Sequence, residues 1–104
     1  MTTIPTQKTL PIGKKNDEGK LRLDLIEPQF IEDVGAALTV GANIYGENSW
    51  QNVPNAENRY YAATMRHLMA WRKGEKTDPE SGLSHLAHVA ANTMFLLHFE
   101  QESK

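Results

Sequence analysis

The sequence predicts an all-α protein: a small helical bundle of three main helices with an extended N-terminal arm, completed by oligomerisation. Three observations lead there. Apolar residues recur at helical spacing over 28–46, 56–73 and 83–100. Glycine, proline and asparagine punctuate the stretches between them. The third stretch is apolar nearly all round, and a helix of that kind must be buried, which two other helices cannot do alone.

A chain of 104 residues suits one domain, 1–104, with a core that holds without disulfides. Cysteine is absent. That removes disulfide scaffolds, thiolate zinc sites and cysteine nucleophiles, and it fits a reducing, cytoplasmic setting. The formal charge of -2 gives no global basic field for duplex nucleic acid. No apolar run approaches the roughly 18 to 20 residues of a membrane span. Met1-Thr2-Thr3-Ile4-Pro5 lacks the basic start and apolar run of a secretion signal.

Residues 1–19 are poor in large apolar side chains and carry Pro5, Pro11, Gly13 and Gly19, so they read as the extended arm. From Lys20 to Asp24 polar and apolar residues alternate, which predicts extended backbone packed over the helical body. Lys20, Arg22 and Asp24 would then share a side. Pro28 suits a first helical turn. Glu32 and Asp33 complement the helix dipole near that end. Ile31, Val34, Leu38, Ala42 and Tyr45 form the apolar stripe of the first helix. Gly35 and Gly41 weaken it by about 1 kcal/mol each and would permit close approach of another helix. Gly46 ends it. Asn55 stands where a cap for the second helix belongs. Tyr61, Met65, Leu68 and Trp71 are that helix's apolar positions, and Arg59, Arg66 and Lys73 lie along one side. Gly74 ends it, and Glu75 to Pro79 form a turn.

The third helix carries the most chemistry. His85, His88 and Asn92 are spaced i, i+3, i+7 and fall on one face. Phe95 and Phe99 continue the same stripe. Such polar groups are costly to bury without partners. Two imidazoles one turn apart can face a metal, with Glu80 adding an oxygen, or they can bond a phosphate or orient a water. Equally, each can be satisfied by a neighbouring helix. Arg59, Arg66 and His67 suit polyphosphate oxygens, or form a solvated face paired with Glu57 and Glu75. Lys20, Arg22 and Asp24 can close over an anion or be a charged edge. Glu32 and Asp33 can face a divalent cation or serve the dipole. Tyr45, Asn48 and Trp50 can stack on a base or pack a helix end.

In order, the chain reads Gly19-Lys20-x-Arg22-x-Asp24-Leu25, Tyr45-Gly46-x-Asn48-x-Trp50 and Arg66-His67-x-x-Ala70-Trp71. It ends on Asp78-Pro79-Glu80-Ser81-Gly82-x-x-His85-Leu86-x-His88-x-x-x-Asn92. Together these resemble the phage and bacterial dATP/dGTP diphosphohydrolase family, over roughly residues 14 to 98. The resemblance implies an enzyme that cleaves a purine deoxynucleoside triphosphate to the monophosphate and pyrophosphate, in the cytoplasm (the host's, if phage-encoded). It also implies kinship with the all-α, MazG-like pyrophosphohydrolases, oligomers that use Mg2+ or Mn2+. That superfamily holds its metals with Glu-x-x-Glu and Glu-x-x-Asp, whereas this chain offers His85-x-x-His88 and Glu32-Asp33. Imidazole ligands favour a transition ion over Mg2+.

On this reading Glu80, His85 and His88 serve the metal or the attacking water, with Glu32 as a carboxylate from the facing helix. Asn92 orients one of them. Lys20, Arg22, Arg59 and Arg66 grip phosphates. Trp50 or Tyr45 contacts the base, and Asp24 accepts from a purine amino group or the sugar hydroxyl. The competing expectation is a non-catalytic helical module that binds a nucleotide or a protein. A third is a helical subunit whose histidines specify oligomer pairing. The bundle is expected to be at least a dimer, or a tetramer, with its site near or across the interface.

Overall fold

The structure, a computed structural model, describes residues 11–102. Its body is three α-helices: α1 Pro28–Tyr45, α2 Ala56–Arg72 and α3 His85–Glu102. Short 3-10 turns at Leu23–Leu25 and Ser49–Asn52 precede α1 and join α1 to α2. There is no strand among the described residues, only an isolated bridge between Thr77 and Ser84. No helix among them is long and apolar enough to cross a membrane.

The helix ends follow from local chemistry. Pro28 sits in the first turn of α1, where its missing N–H costs nothing. Gly46 closes that helix at φ 98°, with its N–H on the Ala42 carbonyl at 2.8 Å. Asn55 does occupy the position before α2, but its side chain does not cap the helix. The backbone is left-handed there, and Oδ1 accepts from Asn58 Nδ2 instead. Before α3 the serine at position 84 does the capping, with Oγ accepting the Leu86 N–H at 3.1 Å. The helix therefore begins at His85 rather than at Leu83.

Of the expected arm, residues 1–10 lie outside the described residues, and 11–19 are exposed and form no helix or strand. The alternation from Lys20 to Asp24 does not produce backbone laid on the helices. Arg22 instead bonds Asp24 through both Nε and Nη2, at 2.9 and 2.8 Å, and the chain coils into the turn at Leu23–Leu25. Leu21, Leu23 and Leu25 stay exposed. A forked charge pair two residues apart outcompetes an extended strand that has no sheet to join.

α2 and α3 run antiparallel. Tyr60, early in α2, meets Phe95 and Phe99 late in α3, and His67, late in α2, meets His85 and His88 early in α3. α1 lies against α3, with Ala37 and Leu38 packed on Leu83, Ala87 and Ala91. Among the described residues the buried apolar ones are Ala37, Ala56, Ala87 and Ala91. Alanine, not glycine, makes these contacts, since a Cβ added at Gly35 or Gly41 would meet nothing within 4 Å. The packed side of α2 carries Ala56, Tyr60 and His67, so Tyr61, Met65 and Leu68 face outward. Leu86, Met94 and Leu97 of α3 are likewise exposed within the chain.

Candidate functional site

The site begins with the way α2 ends. Gly74, at φ 112°, donates to the Trp71 carbonyl, and Glu75 N–H reaches back to the Ala70 carbonyl, both at 3.0 Å. This is a Schellman closure, which needs a left-handed residue where Gly74 stands. It turns Glu75 back toward the start of α3. Lys76 seals the turn by donating from Nζ to the Trp71 carbonyl at 3.2 Å, its ammonium 4.1 Å from the Trp71 ring centroid.

The following loop folds on itself. Asp78 N–H bonds the Leu83 carbonyl and Gly82 N–H bonds the Asp78 carbonyl, both at 2.8 Å, and His85 N–H bonds the Lys76 carbonyl at 3.0 Å. Gly82 takes φ 77°, open to glycine without strain. The Asp78 carboxylate faces inward and accepts from Ser81 Oγ at 2.9 Å and from the N–H groups of Ser81 and Glu80 at 3.3 and 3.5 Å. Burial works to raise the Asp78 pKa, but the hydrogen bonds from Ser81 and Glu80, with His88 and His67 nearby, bring it below the usual 3.8.

Three imidazoles gather over this loop. His67 and His88 stack at 4.7 Å between centroids with ring planes 14° apart. His67 Nδ1 lies 2.8 Å from His85 Nδ1. The other nitrogen of His85, Nε2, is 2.7 Å from Glu75 Oε1. A carboxylate only accepts, so His85 Nε2 carries a proton and donates it to Glu75. Ser81 settles His88 by the same reasoning. Its hydroxyl proton goes to Asp78, and its lone pairs accept the Leu83 N–H at 3.2 Å and His88 Nε2 at 2.7 Å. The network thus assigns the Nε2–H tautomer to His88 and leaves Nδ1 with a lone pair. His67 has its pKa held below the ordinary 6.5 by burial first, then by His88, with Asp78 pulling the other way and His85 and Arg66 adding to the depression.

One ligand atom each of His67, Asp78 and His85 falls within 4.8 Å of the others. Two imidazoles and a carboxylate at that spacing fit a divalent transition ion. They open on a broad groove of about 1490 Å³, lined also by Arg59, Arg66, Glu80 and Asn92. Asn92 is only 8% exposed, and its amide makes no hydrogen bond among the described residues. Trp50 borders the far end, stacked on Phe95 at 4.4 Å and edge-on to His98 and Phe99.

Of the residues singled out from sequence, His85, His88, Glu80, Asn92, Arg59, Arg66 and Trp50 share this groove. Lys20, Arg22 and Asp24 are exposed and do not line it, and Arg22 and Asp24 satisfy each other. Glu32 is exposed in the first part of α1 and also stands outside the lining. The helical spacing did not point to His67, Glu75, Asp78 and Ser81 as partners of the two histidines. The Arg66-His67 pair and the Asp78-x-x-Ser81 turn were the signals present in the chain.

Comparison with known proteins gives the chain its family. The profile described as "dATP/dGTP diphosphohydrolase, N-terminal" matches residues 11–104. The chain belongs to that family. A protein of Salmonella phage PMBT28 named dATP/dGTP diphosphohydrolase is 39% identical over 84 residues, 81% of this chain. The aligned stretch spans 28% of that relative's length, under a third. No solved structure matches the chain.

Proposed function

We propose that the chain forms the nucleotide-hydrolysing face of a dATP/dGTP diphosphohydrolase, converting a purine deoxynucleoside triphosphate and water to the monophosphate and pyrophosphate. One observation carries the reading: the imidazole–carboxylate cluster and two guanidinium groups open on the same groove. The family match and the name of the phage relative support it.

A divalent ion held by the cluster would offset charge on the phosphoryl oxygens and acidify a water. Arg59 and Arg66 bind phosphate oxygens through forked donors, as a lysine point charge would not. His88 takes the proton of the attacking water at Nδ1, because Ser81 keeps Nε2 protonated and the ring fixed. Glu80, exposed at the rim, assists in aligning that water. Asn92 offers an unspent amide to the sugar or a phosphate from the buried floor. The Trp50 ring borders the position for the base. Such a substrate places the activity in the cytoplasm.

The groove is open, and large apolar side chains of all three helices remain exposed. A homo-oligomer would cover them. Lys20, Arg22, Asp24 and Glu32 would then reach a groove only from a neighbouring copy. The test is incubation of the chain with dATP or dGTP and Mn2+, followed by chromatography. Monophosphate and pyrophosphate in equal amounts are expected. Calorimetric heat with the nucleotide recovered intact would instead establish a binding module.

A further inference from the structure

We infer that His67, Asp78 and His85 are the protein ligands of a single transition-metal ion, with Glu75 and Ser81 as the positioning residues behind them. This deepens the proposed hydrolase by naming its metal centre, and it rests on that reading only for the use made of the ion.

The geometry is nearly that of a bound site. Ligands about 2.0–2.2 Å from one ion lie about 3–4 Å apart. The three donor atoms here already fall within 4.8 Å of one another, so side-chain adjustments of under about 1 Å bring them onto an ion. The two facing Nδ1 atoms of His67 and His85, 2.8 Å apart, can share one proton or give up both lone pairs to a cation between them.

The surroundings are those of ligand support. Histidine ligands typically donate their second ring N–H to a carboxylate, which fixes the ring and raises its basicity. His85 does this to Glu75 from a position only 4% exposed. The carboxylate ligand is held in the same way, with Asp78 Oδ2 accepting from Ser81 Oγ and the Ser81 N–H, and Oδ1 from the Glu80 N–H. His88 stacks on His67 and anchors through Ser81, which keeps it out of the ligand set and facing the groove.

The donor set selects the metal. Mg2+ prefers oxygen ligands and keeps several waters, whereas imidazole nitrogen suits Mn2+, Fe2+, Co2+ or Zn2+. Two imidazoles and one carboxylate would leave further coordination positions for water or a phosphate oxygen, and the three residues line the same groove as Arg59 and Arg66.

The test uses the whole chain with metal alone and no nucleotide, so its result is separate from that of the turnover assay. Co2+ titrated into the protein should give absorption bands of an imidazole-ligated ion at one equivalent per chain. Mg2+ in hundredfold excess should not displace it. Trace Mn2+ should broaden the imidazole signals of His67 and His85 before that of His98. Glu75→Gln, which alters an exposed carboxylate, should weaken Co2+ binding about 10- to 100-fold while the helical circular dichroism stays intact. Asp78→Asn and His67→Ala should abolish the bands, and Glu57→Gln should leave them unchanged. Uniform broadening by Mn2+, or unchanged Co2+ affinity in Glu75→Gln and His67→Ala, would overturn the assignment. Hydrolysis without metal binding would sink this inference and leave the proposed reaction standing.

Discussion

Ser81→Ala removes more than a hydroxyl, because three groups are satisfied through that one oxygen. Asp78 loses its 2.9 Å donor, and His88 Nε2 and the Leu83 N–H lose their acceptor. A hydrogen bond to an ionised carboxylate contributes about 1.5–3 kcal/mol, and a neutral one about 1 kcal/mol. The loop is part-buried, so water can refill some of the space. The net cost should therefore be about 2 kcal/mol, less than the simple sum. For a domain of this size that is a fall in Tm of about 8–16 °C. Thermal melts followed by circular dichroism on metal-free protein measure it. The same variant should release the His88 tautomer, seen as a shift in its two ring nitrogens in long-range 15N–1H spectra. Ser81→Thr keeps the hydroxyl and should restore most of both readouts. A Ser81→Ala protein that melts within about 1 °C of the parent, with unchanged His88 nitrogens, would refute the network as described.

Other perturbations have equally definite outcomes. Trp50→Ala loses stacking on Phe95 and two edge contacts, and should cost about 2–3 kcal/mol by urea denaturation, with Trp50→Phe recovering about half. Gly74→Ala forces a Cβ into φ 112° with no steric neighbour, so it should cost about 1 kcal/mol in a thermal melt, through backbone strain alone. Arg66→Ala and Arg59→Ala should each raise KM for dATP or dGTP about tenfold with little change in Tm, and steady-state kinetics decides this. The stability of the metal-free chain should rise with pH in two windows. Asp78, lowered from 3.8, stabilises the fold above the ordinary carboxylate range, and that contribution is lost as pH falls through its folded value. His67, lowered from 6.5, is protonated more readily unfolded, so the fold weakens as pH drops below 6.5 toward its folded value. Urea midpoints across this range should lose the upper window in His67→Gln.

The helices were legible in the chain because each has a local stop. Gly46 and Gly74 carry positive φ where helices end, and Pro28 begins one. The common face of His85, His88 and Asn92 was legible for a similar reason, since it depends only on helical pitch. What could not be read locally was the rotation of α2 about its own axis. The apolar positions Tyr61, Met65 and Leu68 suggest one packed face, yet the side with Tyr60 and His67 meets α3. An alanine-lined contact leaves room for an imidazole, and paired polar groups repay their own burial. His67, Glu75, Asp78 and Ser81 come together only once that rotation and the Schellman turn are set. The segment from Lys20 to Asp24 shows the converse. Its alternation was real, but a two-residue charge pair decided the backbone.

Every member of the imidazole cluster and every group that steadies it falls between His67 and His88. Closing so short a stretch of chain costs little entropy, and contacts of such small sequence separation form quickly. The chemistry is thus wired into a single helical hairpin, and α1 serves it from outside, by covering Leu83, Ala87 and Ala91 beside His85 and His88.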